Sequence, residues 1–294
     1  MASSYQFLRI GLLLLLCGSA LSVRACDFPL SKTETITREF SFGNNVKTPN
    51  LLVDNTSGFI HVETYKGDKV ILSVERIVSA RDENCMSKAF REVTLDIEAL
   101  SDEIKLYVDG PFRKADGSVN FRGPDYYGYE NQFNFTLKVP EKIDYRLRTI
   151  NGGDILVDGV SGDFDVNIIN GPVTMNHVSG SGKVYSLNGG VNMVFSKNPE
   201  GRCRFGSLNG KVRIQFIDDL NADLFMKTHN GGIFTNFEVS PVPASAWPER
   251  ARTKVEKSGT MKIYKTEPDG VRVGSGGVPL EFDTFNGDIE IIRG

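Results

Sequence analysis

The dipeptide Asn-Gly recurs at 151–152, 170–171, 188–189, 209–210, 230–231 and 286–287, in steps of 19, 18, 21, 21 and 56 residues. Its flanks repeat with it. Two residues before each Asn stand Thr149, Ile168, Ser186, Ser207, Thr228 and Thr284. Four before stand Leu147, Val166, Val184, Phe205, Met226 and Phe282. Three after stand Val173, Val191, Val212, Ile233 and Ile289, and an extra glycine shifts the first to Ile155. Period-two apolar positions on both sides of a tight corner mean strand, turn, strand. A repeated supersecondary unit constrains architecture before any single residue does, and it describes a scaffold more than a site.

Two folds could use such a unit. Asn-Gly favours hairpins, so a meander of antiparallel strands is one. The other is a β-solenoid, favoured because like stands above like at every repeat. The expected class is therefore all-β, a single-chain parallel β-helix or β-solenoid with two strands per coil of about 18–21 residues. Asn151, Asn170, Asn188, Asn209, Asn230 and Asn286, with Gly152, Gly171, Gly189, Gly210, Gly231 and Gly287, are its structural corners. Asn and Gly tolerate left-handed backbone there. Asn amides stacked at strand spacing could also bond one another. Looser second corners are expected at Val160-Ser161-Gly162 and Val178-Ser179-Gly180.

The chain of 294 residues opens with Arg9 and an apolar run from Ile10 to Leu16, too short to span a membrane. Small residues at Val23 and Ala25 suit signal peptidase, so 1–25 reads as a secretory signal. Beyond it stand 32 Lys and Arg against 37 Asp and Glu, which is not the footprint of a nucleic-acid binder. Residues 26–132 read as a β region with strands at Leu51–Val53, Phe59–Val62, Val70–Val74, Val93–Ile97 and Ile104–Val108. One short helix is expected over Asp82–Glu92, capped by Asp82. An aromatic excursion at 109–132 closes that region. Repeats fill 133–294, interrupted by a long excursion at 238–276.

The strings Leu51-Leu52-Val53-Asp54-Asn55-Thr56-Ser57-Gly58-Phe59-Ile60-His61-Val62, NGGD, VSGD, NGPV, VSGSG and NGGV, and the ending from Gly274 to Ile289, are together specific. In them the chain resembles the adhesin-type β-helical repeat domain of bacterial exported proteins, over about residues 33 to 294. The resemblance implies a right-handed β-helix-like fold in the bacterial envelope and brings no catalytic residues with it. The excursions at 109–132 and 238–276 depart from the plain repeat.

Cys26, Cys85 and Cys203 remain after the leader. Cys203 falls at an inward position, as a core residue would. Cys26 and Cys85 are left either to pair as a disulfide, or for Cys26 to carry a lipid anchor. Asp154, Asp158, Asp163 and Asp165 would be acid and base if the scaffold carried a polysaccharide-active enzyme. No cation recurs beside them, and alternation turns Asp163 and Asp165 to solvent, so no catalytic residue is expected. His61, His177 and His229 show no ligand spacing, so no metal or cofactor is expected either.

Tyr126, Tyr127 and Tyr129 form the candidate binding surface, since aromatic faces suit sugars and proteins; alternatively the excursion covers an edge. Ile150, Ile169, Leu187, Leu208 and Phe285 precede their corner Asn. Either the corner rotates them inward, which failing alternation at turns favours, or they form an apolar column. The basic run Glu249–Lys265 reads as a solvated loop. The function expected is non-enzymatic and adhesin-like, with an envelope polysaccharide or protein as partner, no nucleic acid, and membrane contact only if Cys26 is lipidated. The alternatives are the enzyme and a lipid-anchored envelope-stress docking module.

Overall fold

The computed structural model describes residues 28–114, 116–120, 122–242 and 269–294. The expected signal segment, Cys26 and the basic run Glu249–Lys265 lie outside the described residues.

The strands are β1 Leu30–Ser41, β2 Asn50–Asp54, β3 Ile60–Thr64, β4 Lys69–Ala80, β5 Thr94–Ala99, β6 Glu103–Asp109 and β7 Tyr129–Val139. The repeat contributes β8 Asp144–Thr149, β9 Ile155–Asp158, β10 Phe164–Asn170, β11 Val173–Val178, β12 Gly182–Asn188, β13 Val191–Phe195, β14 Cys203–Asn209 and β15 Val212–Phe216. Then follow β16 Ala222–Asn230, β17 Ile233–Thr235, β18 Val239–Pro241, β19 Asp269–Val273, β20 Val278–Asn286 and β21 Ile289–Arg293. Two helices, α1 Glu83–Glu92 and α2 Pro124–Tyr127, lie in the first half. The boundary expected at 132 and 133 falls inside β7, and strands from both sides of it share both sheets.

The single-chain parallel β-helix or β-solenoid is not what the chain forms. It forms two large mixed sheets in a sandwich-like arrangement. The ten-stranded sheet runs β1-β4-β7-β3-β9-β11-β13-β15-β21-β17, and the eleven-stranded sheet runs β18-β19-β16-β20-β14-β12-β10-β8-β2-β6-β5. A solenoid needs parallel, sequential coils, and both conditions fail. β1 with β4, β4 with β7, β5 with β6, β16 with β19, and β18 with β19 pair antiparallel. Spatial order departs from chain order at both ends. β20 inserts between β14 and β16, and β21 between β15 and β17.

Within the parallel centre each Asn-Gly corner carries the chain from one sheet to the other. Inward residues of both sheets then meet: Phe205 of the eleven-stranded sheet lies edge to face with Phe195 and Phe216 of the ten-stranded sheet, at 6.1 and 6.4 Å. Cys203 is buried in this layer, as expected. At the other end α1 carries its Asp82 cap, whose carboxylate accepts the Cys85 amide at 2.8 Å. Buried Arg76 donates to the Ala89 and Val93 carbonyls at 3.1 and 2.9 Å, tying the last turn of α1 to β4. Strand β1 closes that edge with charged Lys32, Glu34, Arg38 and Glu39, which discourage further pairing.

The corners hold two side-chain ladders. Asn170 donates to Asn151 (2.6 Å), Asn188 to Asn170 (2.8 Å), Asn209 to Asn188 (2.9 Å), Asn286 to Asn209 (2.7 Å) and Asn230 to Asn286 (2.7 Å). Every amide points the same way, so the dipoles reinforce. Beneath it a hydroxyl column donates to the glycine carbonyls of the adjoining corner. Thr149 reaches Gly58, Ser186 Gly171, Ser207 Gly189, Thr284 Gly210 and Thr228 Gly287, at 2.8–3.0 Å. Ile168 occupies the one hydroxyl-free place in this column.

The left-handed backbone expected at the corner asparagines is absent: among the described residues His177 is the sole non-glycine at positive φ. Glycine is required for closeness instead. A Cβ on Gly171, Gly189, Gly210, Gly287 or Gly231 would overlap the glycine carbonyl of the adjoining corner.

Candidate functional site

Alternation along β8, β10, β12, β14, β20 and β16 sends one set of side chains outward from the eleven-stranded sheet. Their registers align Arg148, Asn167, Tyr185, Gly206, Asp283 and Lys227 in one row. Two residues further along stand Ile150, Ile169, Leu187, Leu208, Phe285 and His229. The corner does not rotate these into the core. Ile150, Ile169 and Leu187 are half-buried, Leu208 is 37% exposed and Phe285 46%. His229 is exposed and stacks on Phe285 at 4.6 Å with 17° between the rings. The result is an apolar column running across six strands, bordered on one side by the exposed asparagine ladder. Ordinary surfaces scatter such residues singly, so a continuous column is informative.

Another concavity lies between α1, residues 111–114, 120 and 122, and α2. It is an open cleft of about 410 Å³, lined by Lys88, Phe112, Lys114, Asn120, Arg122 and Tyr126 among others. The three tyrosines expected to bind together are divided by the fold. Tyr126 is 62% exposed on the rim, whereas Tyr127 and Tyr129 are buried. Tyr127 meets Tyr126 edge to face at 5.0 Å, and Tyr129 donates to Glu92 at 3.1 Å. Burial, and then that bond to Glu92, push the Tyr129 phenol above its ordinary range. Tyr129 thus ties β7 to α1, and Tyr127 packs on it at 5.7 Å from within α2. The cations of this cleft escaped the sequence reading. The available signal was a pair of basic residues, Lys114 and Arg122, bracketing a glycine-bearing turn beside the tyrosines.

Of the four carboxylates of the enzyme alternative, the fold separates Asp154 and Asp158 from Asp163 and Asp165, which line an open concavity of about 250 Å³ with Glu103, Asp144 and Arg146. Asp154 pairs with His61 at 2.9 Å, Asp158 with His177 at 3.0 Å, and Asp165 with Arg146 at 3.7 Å. Asp163 accepts the Ser181 amide at 3.0 Å while its own amide donates to Asp144 at 2.7 Å, which staples the second corners. Ser161 and Ser179 bond there at 2.5 Å. Among the described residues no three His, Cys, Asp or Glu side chains are grouped to hold a metal ion. Cys85 is a half-buried free thiol raised above its ordinary pKa by burial and then by its contact with Asp82. No helix among the described residues is long and apolar enough to cross a membrane.

No protein-family model matches the chain, and no curated relative matches it either. Among solved structures, a candidate cell adhesion protein from Clostridium sporogenes is similar over 90% of this chain and 100% of its own, at 13% identity and a TM-score of 0.46. A candidate adhesin from Bacteroides fragilis covers 88% and 97%, at 11% identity and a TM-score of 0.32. One from Parabacteroides distasonis covers the same shares, at 11% identity and a TM-score of 0.29.

Proposed function

We propose that this chain is an exported, non-enzymatic, adhesin-like protein of the cell envelope that holds a polysaccharide or protein partner on the outer face of its eleven-stranded sheet. The supporting observation is the apolar column with its asparagine border. Leu208 and Phe285 offer area to desolvate, and the amides beside them offer paired donors and acceptors at fixed strand spacing. Rigid apolar area rimmed by hydrogen-bonding groups is the general anatomy of a recognition surface. The names of the similar structures speak of adhesion, but the reading rests on the face itself.

The test uses residues 26–294 with a panel of envelope and matrix polysaccharides, following retention and polymer length in the same tubes. Retention without shortening is expected, with loss in Leu208→Lys and Phe285→Lys. Shortened polymer would overturn the non-enzymatic reading and return attention to Asp154–Asp165. Retention untouched by both substitutions would move the site off this face. The leader, with its apolar run Ile10–Leu16, supports export. A Cys26→Ser change separates the alternatives at its end: release from membranes would establish a lipid anchor, and unchanged fractionation would remove it.

A further inference from the structure

The cleft lined by α1, residues 111–114, 120 and 122, and α2 carries an unbalanced charge, four cations to the one carboxylate of Glu92. Two of its four cations are already committed. Arg113 is held by Asp54 at 2.6 Å with its side chain 5% exposed, and Lys88 lies 3.9 Å from Glu92. Lys114 and Arg122 are exposed, and neither lies within 4 Å of a carboxylate among the described residues. A chain with a formal net charge of −3 thus presents a locally positive concavity.

The cation is also oriented. The Arg122 guanidinium sits 4.8 Å from the centre of the Tyr126 ring, and its Nη1 donates to the Tyr126 hydroxyl at 3.0 Å. This fixes the planar fork while leaving further N–H donors for a ligand oxygen. Tyr126 itself stays largely in solvent at the cleft mouth. The cleft is open and polar, which does not suit an acyl chain. It is bounded by two helices and a loop and not by a sheet edge, so it offers no ladder to an extended peptide backbone.

We propose that this cleft binds an acidic saccharide, whose carboxylate meets Arg122 and Lys114 while its ring lies against Tyr126. The site goes beyond the outer-face reading and rests on different residues. Carboxylate binding by an oriented guanidinium is charge-assisted and bidentate in its best geometry. The apolar face of a pyranose ring matches an exposed phenol, whose tip stays wet.

The experiment titrates residues 26–294 with a short oligogalacturonate, a neutral glucan oligomer of equal length, inorganic sulfate and a short polyglutamate. Saturable binding of the oligogalacturonate is expected, weakened about tenfold or more by Arg122→Ala and by Lys114→Ala. It should also weaken steeply between about 50 and about 500 mM salt. Tyr126→Ala should weaken the oligogalacturonate and leave sulfate unchanged. Circular dichroism checks that these exposed substitutions leave the fold intact. Leu208→Lys should leave this binding alone, which separates failure here from failure of the outer-face reading. Absence of saturation, equal binding of the neutral oligomer, or indifference to both charge substitutions overturns the proposal. Polyglutamate binding as tightly would reassign the cleft to acidic peptides. Sulfate binding as tightly would reduce it to an anion pocket, and either result overturns the saccharide assignment.

Discussion

Replacing Gly189 by Ala tests the close approach of the corners. A Cβ there would overlap the Gly171 carbonyl oxygen, lie 2.5 Å from its carbon and 2.9 Å from the Pro172 nitrogen. These are backbone atoms, so no rotamer change relieves the clash. The two corners are held together by Gly171 N–H to Asn188 O at 3.2 Å and Val173 N–H to Gly190 O at 2.9 Å, and Ser207 bonds the Gly189 carbonyl at 2.8 Å. Ordinary contact needs a separation of about 1 Å, which breaks or strains these bonds. Overpacking costs roughly 1–3 kcal/mol. Two hydrogen bonds lost at about 1 kcal/mol each bring the total to about 3–5 kcal/mol. Gly190→Ala is the matched control. It has the same chemistry one residue on, yet its Cβ would lie 3.2 Å from the Lys211 carbonyl oxygen and 3.9 Å from the Lys211 nitrogen. Neither glycine has positive φ, so backbone strain does not confuse the comparison. The control should change stability by less than about 1 kcal/mol, since reduced unfolded-state entropy offsets a small displacement. Urea unfolding followed by far-UV circular dichroism reads both. If Gly189→Ala unfolds within about 0.5 kcal/mol of Gly190→Ala, the close-approach argument is wrong.

Thr284→Val should cost about 1–3 kcal/mol, because it strips the Gly210 carbonyl of its hydroxyl donor at a buried place; a cost below about 0.5 kcal/mol would dismiss the hydroxyl column as a contributor. Asn188→Ala removes two exposed amide bonds and should cost no more than about 1–2 kcal/mol in the same assay. Burial pushes the Cys203 thiol up to about 11. Its folded pKa exceeds its unfolded value, so its contribution is complete below the unfolded pKa of about 8.5 and is lost as pH rises toward the folded one. Unfolding midpoints of Cys203→Ala and the parent should therefore converge between about pH 9 and 11. The same thiol should resist alkylation at pH 8 until the chain unfolds, and rapid native labelling would contradict its burial.

The sequence carried the inward columns, the corner positions, the Asp82-capped helix and the buried Cys203, because each depends on local period or local hydrogen bonding. It carried the outward direction of Leu208 and Phe285 as well, because strict alternation persists up to the corner. Tyr127 and Tyr129 looked like partners of Tyr126 because proximity in sequence says nothing of which ring α1 covers. Lys114 and Arg122 face one cleft only because the tertiary structure brings them beside α1 and Tyr126.

By itself the sequence determined which side chains point inward and where the chain must turn. It did not determine which coil lies beside which. Any two units with matching columns can pair in parallel equally well at the backbone. Tertiary structure broke that degeneracy by inserting the last unit before its predecessor. Lys211 and Arg213 then meet Glu290 at 2.7 and 3.0 Å, and Arg202 meets Glu281. Phe282 packs against both Phe205 and Phe216, at 5.2 and 6.5 Å. Direct contact of β15 with β17 in the same register would instead set Arg213 beside Phe234. Charge pairing and ring packing across distant segments choose the neighbour, and that choice together with the antiparallel end strands makes two mixed sheets from a repeat whose local pattern suits a simple coil.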